Sequence, residues 1–345
     1  MLWSKDIQRY SSPVIFTWWT RPIIDDGEAG IEEYNAGLED LATKNKNTWF
    51  TAPWLYAECY LYRRLRSLFR RTIHWLDFDP FLAQKLEMFK HSRVAIFQLA
   101  QSMHELEAQK EALLGDESKL QVLFNEMIQM CLWGNATDLS LLTHLSPEDI
   151  KNLQTVGKDA QAARKEFILR DDQSKAWDHV KTLHNARVDF VLDNAGFEVF
   201  TDFVFADFLV TYTPYVSTVT FHPKLIPWFV SDVTPPDFVQ TIESLLDPSF
   251  FPPPTEADSE QGTSIDQYEL LRIMVTRWKK YVEDGTFTLS VPTTTPLGGM
   301  KFVSSVAEFW TSPWPYWRMH EHAPGLFKWL SNSGLVIFKV NIQFF

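Results

Sequence analysis

The sequence predicts a helical domain followed by an α/β domain with a mostly parallel sheet, on three observations. From about Gly30 to Leu183 apolar residues recur at helical spacing, with no convincing strand among them. At Val188 the pattern changes to short β-rich runs that alternate with helical stretches, the order that builds a parallel sheet with helices on its faces. Two of those runs end in acidic, turn-forming residues, Asp193-Asn194-Ala195-Gly196 and Ser231-Asp232.

Taken in order, helices are expected at Ile31 to Ala42, Pro53 to Arg71, Phe81 to Lys90, Val94 to Leu114, Lys119 to Cys131, Pro147 to Glu166 and Gln173 to Leu183. Pro53 and Pro80 suit first-turn positions, and Gly115 and Gly134 suit stops. The domain boundary is placed near His184 to Arg187, giving a helical domain over 1–185 and an α/β domain over 186–345. In the second half strands are expected at Val188 to Leu192, Ser217 to Phe221, Trp228 to Val230, Phe287 to Val291 and Gly334 to Lys339. Helices are expected at Phe197 to Val210, Pro235 to Leu246, Ile265 to Asp284 and Pro324 to Leu330. The Pro-rich, acidic segment from Phe250 to Thr263 reads as a surface loop.

Composition narrows the function. Hydrophobic residues make up 45% and charged residues 22% of the 345, as in globular proteins, and the 27 Phe and 14 Trp read as a bulky core. A net charge of −12 argues against a nucleic-acid partner, and an anionic substrate would need local positive charge from a metal or a few basic side chains. Cys59 and Cys131 form no framework, so a reducing compartment is expected. No signal peptide and no membrane partner are expected, because the most apolar stretch, Phe197 to Val210, is interrupted by Asp202 and Asp207. The location expected is cytoplasmic, with the nucleus also open; the oligomeric state is not readable.

In open α/β sheets ligands bind beyond the carboxyl ends of strands. Asp193 and Asn194 sit at one such end and Asp232 at another. Two carboxylates and an amide oxygen form a hard donor set suited to Mg²⁺ or Mn²⁺. The same residues also suit a turn and helix cap, and Asp232-Val233-Thr234-Pro235-Pro236 also suits a plain loop. Glu198 either favours the N-terminus of its helix or reaches the Asp193 crevice. Asn135 and Asp138 either face a site or form a turn; Lys224 either contacts phosphate or is a surface lysine. The basic run Tyr62 to Arg71 reads as a solvated helix face. No P-loop, Gly-x-Gly-x-x-Gly, zinc pattern or nucleophile elbow occurs.

Several strings together resemble the damage-control phosphatase family, in its eukaryotic branch also described as acidic-residue (protein-glutamate) methyltransferases. They are Trp49-Phe50-Thr51-Ala52-Pro53-Trp54-Leu55 with Glu58-Cys59-Tyr60 and Tyr62-Arg63-Arg64; Leu132-Trp133-Gly134-Asn135 with Asp138-Leu139-Ser140; Leu192 to Glu198 with Thr201-Asp202; Ile226 to Thr234; and Leu335-Val336-Ile337-Phe338-Lys339. They fall in the family's order across nearly the whole chain.

The resemblance implies a Rossmann-like α/β domain after a helical one. It implies that Asp193, Asn194 and Asp232 hold a divalent ion (Mn²⁺ or Mg²⁺, with Co²⁺ or Ni²⁺ as further choices). Asp193 and Asn194 would also touch the substrate, with Asp193 catalytic. The implied partner is a small phosphorylated metabolite of the fructose 1-phosphate or fructose 6-phosphate type. Where methyl transfer is the activity, Glu198 and Asp232 would contact S-adenosylmethionine. The family continues past the final strand with Gly-Asp-Leu-Asn-Tyr-Arg-Lys and later Arg-Thr-x-Lys, whereas here Val340 to Phe345 follow Lys339. The expectation drawn is a C-terminally truncated chain, weakly active or non-catalytic as written.

Overall fold

The computed structural model describes residues 22–134, 168–251, 265–299 and 306–339. The expected helix at Pro147 to Glu166, and Asn135 and Asp138, lie outside the described residues, as does most of the Pro-rich segment.

The first half is helical: α1 (Ile31–Thr43), α2 (Trp54–Arg70), α3 (Leu82–His91), α4 (Arg93–Glu107), the short α5 (Lys110–Leu114), α6 (Glu117–Trp133) and α7 (Gln173–Val180). The expected helix from Val94 to Leu114 is divided, because the Gln109 amide reaches Leu106 O and tightens the ladder there. Asp116 caps α6 by accepting from the Lys119 amide.

The second half carries β1 (Ala186–Val191), α8 (Phe197–Tyr212), β2 (Val216–His222), α9 (Pro235–Leu246), α10 (Ile265–Asp284), β3 (Phe287–Leu289), α11 (Met319–His322), α12 (Pro324–Ser331) and β4 (Leu335–Phe338). The four strands lie in the order β3-β2-β1-β4, and each neighbouring pair is parallel. The chain builds outward from β1 through β2 to β3, then returns to place β4 on the other side of β1. That reversal opens a crevice beyond the carboxyl ends of β1 and β4, the ordinary place for a ligand in such sheets. A helical region followed by an α/β sheet is therefore the architecture, as the alternation of patterns predicted.

Helix α8 is apolar on nearly every side and all its residues but Val210 are buried, as a helix covered all round must be. Phe203 packs at 4.9 to 5.3 Å on Phe221, Phe238 and Trp278, which ties α8 to β2, α9 and α10. One apolar cluster runs from Phe89 through β1, α8 and β2 to Phe287, so helices of the first half and strands of the second share it.

Three local readings need correction. Trp228 to Val230 is no strand: Phe229 and Val230 have φ of 41° and 69°, and the Asp232 amide turns back to Trp228 O. Its apolar residues instead pack on Tyr62 of α2, with ring centroids at 5.7 and 5.3 Å for Trp228 and Phe229. Phe250 and Phe251 are buried against Phe89 and Phe97 rather than part of a surface loop. The basic face of α2 is solvated only at its end, where Arg70 and Arg71 are exposed. Arg63 pairs in a fork with Asp26 at 2.8 and 2.9 Å, Arg66 pairs with Glu28 at 2.6 Å, and both arginines are buried.

Candidate active site at the carboxyl edge of the sheet

Two loops meet at the crevice. The one leaving β1 carries Asp193 and Asn194, and the one entering α9 carries Ser231 and Asp232. They are stitched by backbone bonds from the Val233 amide to Asp193 O and from the Ala195 amide to Ser231 O, both 2.7 Å, and Asn194 and Asp232 form an antiparallel bridge. The left-handed turn at Phe229-Val230 aims Asp232 into this pairing. A β-branched residue at φ 69° is a strained conformation of the kind that accumulates at functional sites. Thr234 ends the second loop as the N-cap of α9, in a reciprocal capping box with Asp237 and with Pro235 in the first turn.

Gly196 permits the exit from the first loop. Its φ of 76° and ψ of −126° exclude side-chain-bearing residues, and a Cβ there would stand 3.5 Å from Phe89 Cβ. At Gly134, where α6 ends, an added Cβ would fall 2.5 Å from Thr201 Oγ1 and 3.3 Å from Glu198 Cα. That close approach explains why a glycine follows Trp133.

Asp193, Asn194, Asp232 and Glu198 are all nearly sealed, at 6%, 5%, 3% and 0% exposure. Asn194 Nδ2 donates to Glu198 Oε2 at 2.7 Å and to Asp193 Oδ2 at 3.3 Å, and Ser231 Oγ donates to Asn194 Oδ1. Carboxylates only accept, so this pattern sets which end of the amide is oxygen. Glu198 therefore reaches the Asp193 crevice, the second of its two sequence readings. Burial first, then the charges of Asp232 and Glu198, push the Asp193 carboxyl well above the usual carboxylate range. Burial likewise raises Glu198, against the lowering effect of Lys339.

Two lysines answer these acids. Lys224 is neither a surface lysine nor open to solvent. It is buried, pairs with Asp232 Oδ2 at 3.0 Å and donates to Leu192 O. Burial opposes its charge, but Asp232 outweighs that and holds the ammonium protonated. Lys339 follows β4 directly, and its amide donates to Val191 O at 3.0 Å. Its ammonium lies 3.2 Å from Glu198 Oε1 and 3.1 Å from Asp202 Oδ1, and donates to Cys131 O at 2.6 Å. Cys131 Sγ donates to Asp202 at 2.8 Å, and burial, then the Asp202 charge, push its thiol up. Lys85 of α3 is a third buried lysine at these loops.

The structure thus brings together Asp193, Asn194, Glu198, Lys224 and Asp232, each weighed from sequence, and adds Lys339, Ser231 and Asp202, with Lys85 behind the loops. Nothing in the local pattern marks Lys339 or Lys85, since a lysine after a strand or within a helix is ordinarily solvated. Among the described residues no three His, Cys, Asp or Glu side chains are grouped to hold a metal ion; the donor set here is two carboxylates and an amide. The same residues include no helix long and apolar enough to cross a membrane.

Comparison with known proteins identifies the family. The signature of the damage-control phosphatase ARMT1-like domain matches residues 14–340. The chain belongs to that family. It is 33% identical over 302 residues to "Damage-control phosphatase ARMT1" of Rattus norvegicus, covering 86% of this chain and 60% of the relative. It is 31% identical over 321 residues to the protein of the same name in Danio rerio, covering 90% of this chain and 63% of the relative. The chain therefore spans about three-fifths of the length of these relatives.

Proposed function

We propose that this family member is a divalent-metal-dependent phosphatase acting on small sugar phosphates of the fructose 1-phosphate or fructose 6-phosphate type. The observation that carries it is the buried, mutually repelling set of Asp193, Asp232 and Glu198 at the switch crevice, where burial and like charges both disfavour the Asp193 anion. Hard oxygen donors in that state suit Mn²⁺ or Mg²⁺ better than a softer ion. Asp193, Asn194 and Asp232 are the residues that would hold it. When bound, such a cation polarises a phosphoryl oxygen and lowers the pKa of a bound water.

The chain's own side chains do the rest. Glu198 accepts from Asn194 Nδ2 and so keeps the amide oxygen turned away from itself, while Lys339 secures Glu198. Lys224 steadies Asp232 and would lend positive charge to a phosphate bound nearby, in a protein of net charge −12. Asp193 would meet both ion and substrate. The family's names support phosphatase action. Methyl transfer would need Glu198 as a cofactor contact, and its carboxylate has no exposed surface, with Oε2 accepting from Asn194 and Oε1 facing the Lys339 ammonium at 3.2 Å.

The test measures phosphate release from fructose 1-phosphate with Mn²⁺, with EDTA, and beside incorporation of labelled methyl from S-adenosylmethionine. Mn²⁺-dependent, EDTA-sensitive release is expected. Methyl incorporation without phosphate release would replace this reading.

A further inference from the structure

The strongest tie to the Asp232 loop comes from outside the sheet. Lys85 of α3 is buried, and its ammonium donates to Asp79 Oδ2 at 2.9 Å, Asp237 Oδ2 at 2.7 Å and Asp232 O at 3.0 Å. Those contacts match the ammonium's N–H groups one for one. Burying a charge costs several kcal/mol unless it is paired and hydrogen-bonded, so this lysine is held by its partners rather than merely near them.

The third partner distinguishes a positioning role from an ordinary helix tie. Two carboxylates would suffice to hold Lys85 against the α9 cap. The carbonyl of Asp232, however, belongs to the peptide unit whose N–H, on Val233, donates to Asp193 O at 2.7 Å. One rigid peptide plane is thereby gripped at both ends, by α3 on one side and by the β1 loop on the other. The same helix also touches the first loop, since Gly196 lies against Phe89 and Lys85 O. A narrow crevice lined by Leu82, Lys85, Phe89, Gly196 and Asp237 marks where α3 meets both loops.

We propose that α3 is a clamp on the two ligand-bearing loops, and that Lys85 is the positioning residue that sets the Asp232 peptide relative to Asp193. The helical region thereby tunes cation affinity; this last clause rests on the metal reading above. Outer partners of metal ligands commonly change affinity by about 10–100-fold.

The experiment compares unmodified protein, Lys85→Met and Asp79→Asn. It measures hydrogen exchange at the Val233 and Phe203 amides, the Mn²⁺ dissociation constant by calorimetry, and phosphate release against Mn²⁺ concentration. Lys85→Met is expected to speed Val233 exchange well beyond Phe203 exchange and to raise the Mn²⁺ dissociation constant at least about tenfold. The Mn²⁺ concentration that gives half-maximal phosphate release should rise in step. Asp79→Asn, which leaves Lys85 and the α9 cap in place, should shift both in the same direction by less. Equal changes at Val233 and Phe203, or an unchanged dissociation constant in a folded variant, would overturn the clamp. If Lys85→Met does not fold, Asp79→Asn decides by the same readouts. If the unmodified protein binds no Mn²⁺, the metal reading falls, while the exchange comparison still decides whether Lys85 sets the peptide.

Discussion

The two ends of α8 bury acids in opposite ways. Toward its C-terminal end, Asp207 accepts from Arg277 at 2.6 Å, from Trp278 Nε1 at 2.9 Å and from Thr211 Oγ1 at 2.6 Å. A fork-shaped cation and neutral donors answer the carboxylate, and the same guanidinium reaches Glu107 at 3.1 Å. At the N-terminal end Asp193 meets the charges of Asp232 and Glu198, Lys224 pairs with Asp232, and Lys339 is shared between Glu198 and Asp202. The first arrangement serves folding alone. The second keeps like charges together at a crevice, a repulsion that the cation proposed above would relieve on binding.

Breaking each end should therefore give different failures. Asp193→Ala is expected to reduce Mn²⁺-dependent phosphate release by about 10²–10³-fold or more, with the thermal midpoint held or raised, because it removes a ligand and a repelling charge together. A variant that kept near-normal turnover would place the chemistry elsewhere. Asp207→Ala should do the reverse. Leaving Arg277 and Trp278 without their buried acceptor should cost about 3–5 kcal/mol in urea unfolding, while the Mn²⁺ dependence of whatever folded protein remains stays unchanged. Loss of activity without loss of stability would show that the two ends are not separate.

A smaller effect sharpens the contrast. Gly196→Ala forces a side chain into a conformation reserved for glycine and against Phe89, and should cost about 1–3 kcal/mol. Because Gly196 also sets the exit from Asn194, Mn²⁺ affinity should fall with it, which calorimetry beside denaturant unfolding can check.

The smallest expected effect is with pH. The folded pKa of Asp193 is raised, so a proton on it favours the metal-free fold at low pH. That contribution is lost as pH rises from the ordinary carboxylate range through the folded value. A cation must displace the same proton, so Mn²⁺ affinity should increase across that window and then level off. Calorimetry at several pH values in matched buffers measures this, and a flat profile would mean Asp193 is already ionised without metal.

Much of the fold was legible from periodicity. Most of the described helices of the first half, the first strand, α8, α9 and α10 emerge near their expected limits because each buries a face whose spacing the side chains record. Trp228 to Val230 misled for a physical reason. A short apolar run shows that it is buried but not what it is buried against, and here the partner is Tyr62 of α2 rather than a neighbouring strand.

The site divides along the same line. Asp193, Asn194 and Asp232 could be picked out in the chain itself because a strand's carboxyl end followed by acid and turn residues is a local pattern, and the ordered strings carried the family. Asp202 and Lys339 stand in those strings without a local pattern to give them a role, and Lys85 stands outside them. Lys85 stands 147 residues from the carbonyl it holds, and Lys339 stands 137 residues from Asp202. The strand order that brings β4 beside β1 puts Lys339 at Glu198, and the packing of α3 puts Lys85 at the Asp232 peptide. A lysine's charge state and partners depend on the solvent and neighbours that folding leaves it, so only the tertiary structure could turn these side chains from solvated cations into parts of the site.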